Sequence, residues 1–209
     1  MTFSARFATL AILAASALAQ RPAWAAGDAT RGQTLAYTCL GCHGIPNYKN
    51  AYPSYDVPKL KGQHPEYLIA ALQAYKSKER SHATMHAHAA SMSTQDMADI
   101  AAYLSGPPLQ SAGAKPIGTP PQSAQICTSC HGADGRGITA DYPILSGQHE
   151  DYLVRAMTDY QRGGRRNAVM AGFAGQLKEA DIKALAAYFA SQRPALETVS
   201  RRTTRYAAR

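Results

Sequence analysis

The pentapeptide Cys39-Leu40-Gly41-Cys42-His43 and its partner Cys127-Thr128-Ser129-Cys130-His131 constrain this chain more than any other feature, because together they hold all four of its cysteines. Two thiols three residues apart can add across the two vinyl groups of a haem. A histidine directly after them reaches the iron from the proximal side. Other uses of four cysteines compete. Two disulfides would suit an exported chain, but they leave both histidines without a role. Two C-x-x-C pairs can also build a four-thiolate zinc site, yet these pairs stand 88 residues apart, each with a histidine directly behind it. Two covalently attached c-type haems (haem c) account for every residue. Cys39, Cys42, Cys127 and Cys130 would be the attachment points, with His43 and His131 as proximal iron ligands.

The chain around these motifs is a duplication. Leu60 to Tyr75 (LKGQHPEYLIAALQAY) matches Leu145 to Tyr160 (LSGQHEDYLVRAMTDY) at eight of sixteen positions, 85 residues later. The register carries Met85 onto Met170 and Asp96–Leu104 onto Asp181–Phe189. The cysteine motifs are offset by 88, so the first half holds three extra residues between motif and repeat. One repetition of so long a period means two domains rather than a solenoid. Pro107 to Pro121 (PPLQSAGAKPIGTPP) reads as an extended linker. The expected organisation is a leader over 1–25, a first domain over 26–106, a linker over 107–121, a second domain over 122–194 and a basic tail over 195–209.

Both halves read as all-α. Tyr67, Leu68, Ala71, Leu72 and Tyr75 recur at helical spacing, as do Tyr152, Leu153, Ala156, Met157 and Tyr160. Met97, Ile100, Ala101 and Leu104 form another stripe, matched by Ile182, Leu185, Ala186 and Phe189, and Ser93 or Thr94 can cap the first of these helices. Each half, at about 80 residues, is marginal for an apolar core alone, and a haem would complete its centre. The tyrosines read as haem-packing core. His64 and His149, in matched Gly-Gln-His segments, can cap a helix or hydrogen-bond a propionate or backbone group. Gly132 to Gly137 reads as a tight loop at the haem edge.

The sixth iron ligand separates electron transfer from open-site chemistry. Met85 and Met170 hold equivalent places and are the candidates, although a methionine there can also be core filler. His82, His86, His88 and Met92 are rivals in the first half, where the histidines otherwise read as exposed polar residues. Histidine and methionine together fill both axial positions and raise the reduction potential.

The N-terminus combines a short basic lead, an apolar run from Phe7 to Ala19 and a small-x-small site at Ala23-Trp24-Ala25, with Ala17-Leu18-Ala19 as a rival. That pattern is a secretory leader, so the mature chain is expected outside the cytoplasm. The formal charge of +8 invites a nucleic-acid partner, but it is concentrated at the ends. Arg6 and Arg21 belong to the leader, and Arg201, Arg202, Arg205 and Arg209 to the tail. No broad phosphate-binding stripe remains, and no nucleic-acid role is expected.

With these residues in place, the sequence resembles the cytochrome c4 family of exported dihaem class I cytochromes c. The resemblance rests on Ala26-Gly27-Asp28-Ala29, both C-x-x-C-H-G motifs, L-x-G-Q-H-x-x-Y in each half, the Met85 and Met170 positions, and the two A-A-Y closing helices. It implies two cytochrome c domains related by a pseudo-twofold axis, His–Met ligation of each haem, a periplasmic location, and electron delivery to a membrane-bound oxidase. Three features depart from the pattern. Pro116, Pro120 and Pro121 break the helix expected before Cys127, Tyr48 to Val57 is an insertion-like loop near the first haem, and the arginine-rich tail has no family meaning. Two functions follow: a monomeric mobile carrier between redox proteins, with transient membrane-surface contact, or the electron-accepting subunit of a periplasmic dehydrogenase such as a flavocytochrome c sulfide dehydrogenase. No flavin or quinone site is evident, and the carrier is favoured over any catalysis by the chain itself.

Overall fold

The computed structural model describes residues 27–105 and 115–199. The leader lies outside these residues, as do most of the linker and the arginines of the tail. The first domain holds α1 (Ala29–Leu35), α2 (Leu40–His43), α3 (Pro65–Lys76), α4 (Ala83–Ala90) and α5 (Thr94–Leu104). The second begins with a 3-10 turn (Gln122–Ala124) and continues through α6 (Gln125–His131), α7 (Glu150–Gln161), α8 (Ala168–Ala174) and α9 (Glu179–Ala190). Among the described residues the only β pairing is four isolated bridges, so the all-α expectation holds. No helix among them is long and apolar enough to cross a membrane.

Local chemistry sets the helix ends. The Asp28 side chain accepts from the N–H groups of Thr30 and Arg31 and starts α1. Ser93 and Asp96 form a capping box at the head of α5. Pro65 opens α3, where its missing N–H costs nothing. The apolar stripes then bury: Met97, Ile100, Ala101 and Leu104 of α5 lie in one core, and Ile182, Leu185, Ala186 and Phe189 of α9 in the other. Each fully buried Leu, Ile or Phe contributes about 1.5–3 kcal/mol. These two helices are the backs of the two domains.

The pseudo-twofold relation shows as paired contacts 85 residues apart. Gly62 N–H donates to Leu104 O at 2.9 Å, and Gly147 N–H to Phe189 O at 3.2 Å. Both glycines have positive φ, 93° and 73°, which a β-carbon would strain. The axis passes between Arg80 and Arg165, which form an antiparallel bridge. Beside it, Ser81 N–H donates to Gly164 O at 2.7 Å and Arg166 N–H to Glu79 O at 2.8 Å.

Two expectations need correction. The loop from Tyr48 to Val57 is a strap onto the second domain: Lys49 pairs with Asp151 at 3.0 Å, Asp56 N–H donates to the same carboxylate at 2.9 Å, and Tyr55 packs on Tyr152. The stretch 195–199, taken as the start of a free tail, is built into the junction. Glu197 and Lys61 exchange backbone hydrogen bonds at 2.8 and 3.2 Å, and Leu196 is buried. An apolar residue beside Pro194 found cover in the first domain, which a composition-based boundary could not register.

Candidate haem sites

Each C-x-x-C-H motif lies on a short helix that ends at its histidine. His43 closes α2 and His131 closes α6. In both, ring Nδ1 faces a prolyl carbonyl: His43 meets Pro58 O at 2.8 Å, and His131 meets Pro143 O at 3.2 Å. The two prolines are again 85 residues apart. Burial pushes both imidazoles below their ordinary pKa, with the carbonyls opposing it. A neutral ring that donates from Nδ1 leaves Nε2 as the free lone pair, which is the tautomer that a metal ligand needs.

The four thiols are free and half-buried. Burial raises the pKa of Cys39 and Cys127, so both stay protonated. Among the described residues, no group of three or more His, Cys, Asp or Glu is placed to hold a metal ion. The two C-x-x-C pairs therefore do not combine into one thiolate site.

The candidate sixth ligands sit at matched positions on matched helices. His82 caps α4, its Nδ1 accepting from Met85 N–H at 3.2 Å, and Asn167 caps α8, its Oδ1 accepting from Met170 N–H at 3.0 Å. The cap explains His82. His86 is also engaged, its Nδ1 facing Tyr75 O at 2.9 Å. Met85, His88 and Met92 follow one another at helical spacing. Their counterparts 85 residues on are Met170, Phe173 and Leu177. Met92 and Leu177 each pack against the core of their own domain, so Met92 is the packing residue of this set. His88, Met92 and Thr38 line a cavity of about 340 Å³ between α1, α4 and α5.

Between the domains lies a cluster that the sequence reading missed. Arg80 and Arg165 are both buried. Arg80 donates to Tyr67 Oη and Arg165 to Tyr152 Oη, each at 3.1 Å. Each guanidinium also lies over two rings, Tyr67 and Tyr75 for Arg80, Tyr152 and Tyr160 for Arg165. Burial pushes the Tyr75 phenol up to about 12, so it stays neutral. These tyrosines thus face an arginine pair instead of simply filling a core. Arg165 has one long carboxylate contact, to Asp159 at 3.9 Å, and Arg80 has none among the described residues. Two buried cations with so little countercharge suit an anionic group. A haem carries two propionates, so the donor set and the charge of this interface both fit it. The matched positions of Arg80 and Arg165 in the repeat were the available signal.

His64 and His149 sit at the N-cap positions of α3 and α7 but make no side-chain cap bond. The His64 ring instead reaches Arg136 O of the second domain at 3.2 Å. The residues just before them, Gln63 and Gln148, each bind the backbone of the opposite domain.

Comparison with known proteins agrees with this geometry. The cytochrome c family model matches residues 29–106 and 122–193. Cytochrome c4 of Pseudomonas aeruginosa is 35% identical over 182 residues, which is 79% of this chain and 89% of that protein. The crystal structure of reduced recombinant cytochrome c4 from Pseudomonas stutzeri superposes with a TM-score of 0.63 at 30% identity, covering 80% of this chain and all of that one (100%). A thiosulfate dehydrogenase electron acceptor from Stutzerimonas stutzeri is 29% identical over 173 residues, 75% of this chain and 79% of that protein.

Proposed function

The chain belongs to the cytochrome c4 family, and from that membership we propose that it passes electrons from a periplasmic donor to a membrane-bound terminal oxidase. As a family member it is a non-catalytic, periplasmic dihaem electron carrier with two covalent haem c sites. Bound haem c supplies a one-electron iron couple. The proposal assigns the residues around it. Cys39 and Cys42 fix one haem, Cys127 and Cys130 the other, with both sites filled in the mature protein. His43 with Met85, and His131 with Met170, occupy the axial positions. Filled axial positions leave no place for substrate, so the chain's own residues need only hold the group, exclude water and tune its potential.

One observation supports this reading above the rest. Each proximal histidine is tethered at Nδ1 by an equivalent proline, and each methionine stands third in an equivalently capped helix. Replacing Met85 or Met170 with alanine should each remove about half of the weak long-wavelength ferric band given by sulfur on iron, and lower the potential of one haem. Loss of that band in Met92→Ala or His88→Ala, with Met85→Ala unchanged, would reassign the first site.

A second reading is favoured by the likeness to a thiosulfate dehydrogenase electron acceptor: an electron-accepting subunit of a periplasmic dehydrogenase. A carrier must leave its partner at each turnover, so its docking should weaken as salt screens charge over a Debye length of about 8 Å. A permanent subunit would bury a larger, apolar face. The native protein should purify alone as a monomer. Truncation after Val199, which spares Leu196 and Glu197, should slow its oxidation by washed membranes at low salt more than at high salt. Co-purification with a dehydrogenase through a high-salt wash would favour the subunit.

A further inference from the structure

The two contacts that lock the domains together end on the same peptide groups that orient the two proximal histidines, and each comes from the opposite domain. Pro58 O faces His43 Nδ1 at 2.8 Å. The N–H of that same peptide unit, on Lys59, donates to Gln148 Oε1 at 2.9 Å, and Gln148 Nε2 donates back to Lys59 O at 3.0 Å. The mirror set is complete. Pro143 O faces His131 Nδ1 at 3.2 Å, Ile144 N–H donates to Gln63 Oε1 at 2.8 Å, and Gln63 Nε2 donates to Ile144 O at 3.0 Å. Both glutamines are almost wholly buried, 4% and 5% exposed.

A peptide unit is planar, so fixing its N–H fixes the direction of its C=O. Hydrogen bonds in series also polarise one another, most strongly where solvent is excluded. A glutamine oxygen on the Lys59 N–H therefore makes Pro58 O a better and better-aimed acceptor for His43. The hydrogen bond on the second nitrogen of a metal-bound histidine sets ring orientation and ligand basicity, and such bonds tune haem potential.

We propose that Gln148 is a positioning residue for His43, and Gln63 for His131, so that each haem's proximal ligand is tuned from the other domain. This rests on the assignment of His43 and His131 as iron ligands. The sign follows. Without the glutamine acceptor the prolyl carbonyl weakens, the imidazole becomes a poorer donor, and the ferric state loses stabilisation. The potential of the haem in the opposite domain should rise.

The test is a spectroelectrochemical titration of the dihaem protein. Each wave is assigned by which one vanishes when Cys39 and Cys42, or Cys127 and Cys130, are replaced by alanine. Gln148→Met keeps the volume but removes both hydrogen bonds. It should raise the first-domain wave by up to tenfold in the reduction equilibrium, about 59 mV for one electron, and leave the second-domain wave in place. Gln63→Met should do the reverse. Gln148→Glu, which keeps the acceptor and adds charge, should lower the first-domain wave. The Nδ1 proton resonance of His43 in the reduced protein should move in both Gln148 variants. Asp151→Asn, which cuts the Lys49 strap of the same interface, should move neither wave. The proposal is overturned if Gln148→Met shifts its own domain's wave or both equally, or if Asp151→Asn has the same effect. A native protein with fewer than two waves would overturn the haem assignment beneath it.

Discussion

The two domains share everything that holds the haem and differ in almost everything that precedes it. His43 and His131, Pro58 and Pro143, Gln63 and Gln148, Arg80 and Arg165, Met85 and Met170 make the same contacts or hold the same places in both halves. The entries to the motifs do not match. In the first domain α1 lies against α5 so closely that a β-carbon at Gly27 or Gly32 would collide with the carbonyl oxygens of Ala98 and Asp99. Arg31 then pairs with both Asp96 and Asp99. The second domain enters through a 3-10 turn behind Pro121, and its linker is pinned by Gln192, whose amide exchanges hydrogen bonds with Ile117 at 2.9 and 3.0 Å. The duplicated parts are those that meet the cofactor or the other domain. A half with a latched helix and a half with a turn can therefore present the same site.

The most severe way to test this comparison is to empty one site at a time. With Cys39 and Cys42 replaced by alanine, or Cys127 and Cys130, the mass should fall by one haem in each case. The first domain keeps α1 against α5 and should retain more helix and more resistance to proteolysis than the second. Equal losses in circular dichroism would mean that the latch adds nothing to the cofactor.

Next in size is the latch itself. Gly32→Val puts a branched side chain into backbone that has no room for it, and overpacking of this kind costs about 1–3 kcal/mol or more. The loss should fall on the first domain alone, visible as faster amide exchange in α1 and α5 with α9 unchanged. A fall of both domains together would show the molecule unfolding as one unit through its interface.

Much of this architecture was legible in the residues. The C-x-x-C-H motifs, the 85-residue offset and the apolar stripes of α3, α5, α7 and α9 each carry a local signal with a fixed period. The proline argument against a helix before Cys127 was also sound, since only a turn forms there. What escaped is non-local. Arg80 follows Lys76-Ser77-Lys78-Glu79 and looks like part of a solvated run. Gln63 beside a helix start looks like local capping, and Tyr48 to Val57 has no period at all. Each gains its role from a partner about 80 to 100 residues away, and only the repeat register marked Arg80 and Gln63 as paired.

Acid should separate the domains more gently. Asp96 is held below the ordinary carboxylate range by Ser93 and then Arg31, and Asp99 by the Asp28 N–H, then Gln95 and Arg31. A folded pKa below the unfolded value of about 3.9 gives stabilisation that is full above that value and is lost as pH falls through the depressed one. The second domain has Asp181 at the first position but Ala184 at the second. Below about pH 4, amide protection in α1 should therefore fall before protection in α6. Asp99→Asn should abolish that difference at neutral pH. Protection of α1 that is unchanged by Asp99→Asn would locate the latch in the glycine packing alone.

The smallest contrast lies at the heads of the closing helices. Ser93 caps α5 through its hydroxyl, which accepts from Asp96 N–H at 3.1 Å, while the Asp96 carboxylate accepts from Ser93 N–H at 2.8 Å. At the same place in the second domain stands Lys178, whose N–H donates to Asp181 at 3.1 Å. An ammonium has no acceptor to offer the helix, and a positive charge at an N-terminus opposes the helix dipole. Half of the reciprocal cap is thus missing from α9. Ser93→Ala should cost the first domain about 1 kcal/mol, and Lys178→Ser should stabilise the second by a similar or smaller amount. Neither haem spectrum should change, because the cap faces solvent at the far end of the packing helix. Thermal unfolding followed separately at each domain, by amide exchange on α5 and α9, reads both effects. If Lys178→Ser leaves α9 unchanged, then the Asp181 half of the cap already saturates that helix end, and the two domains are equal there despite their different residues.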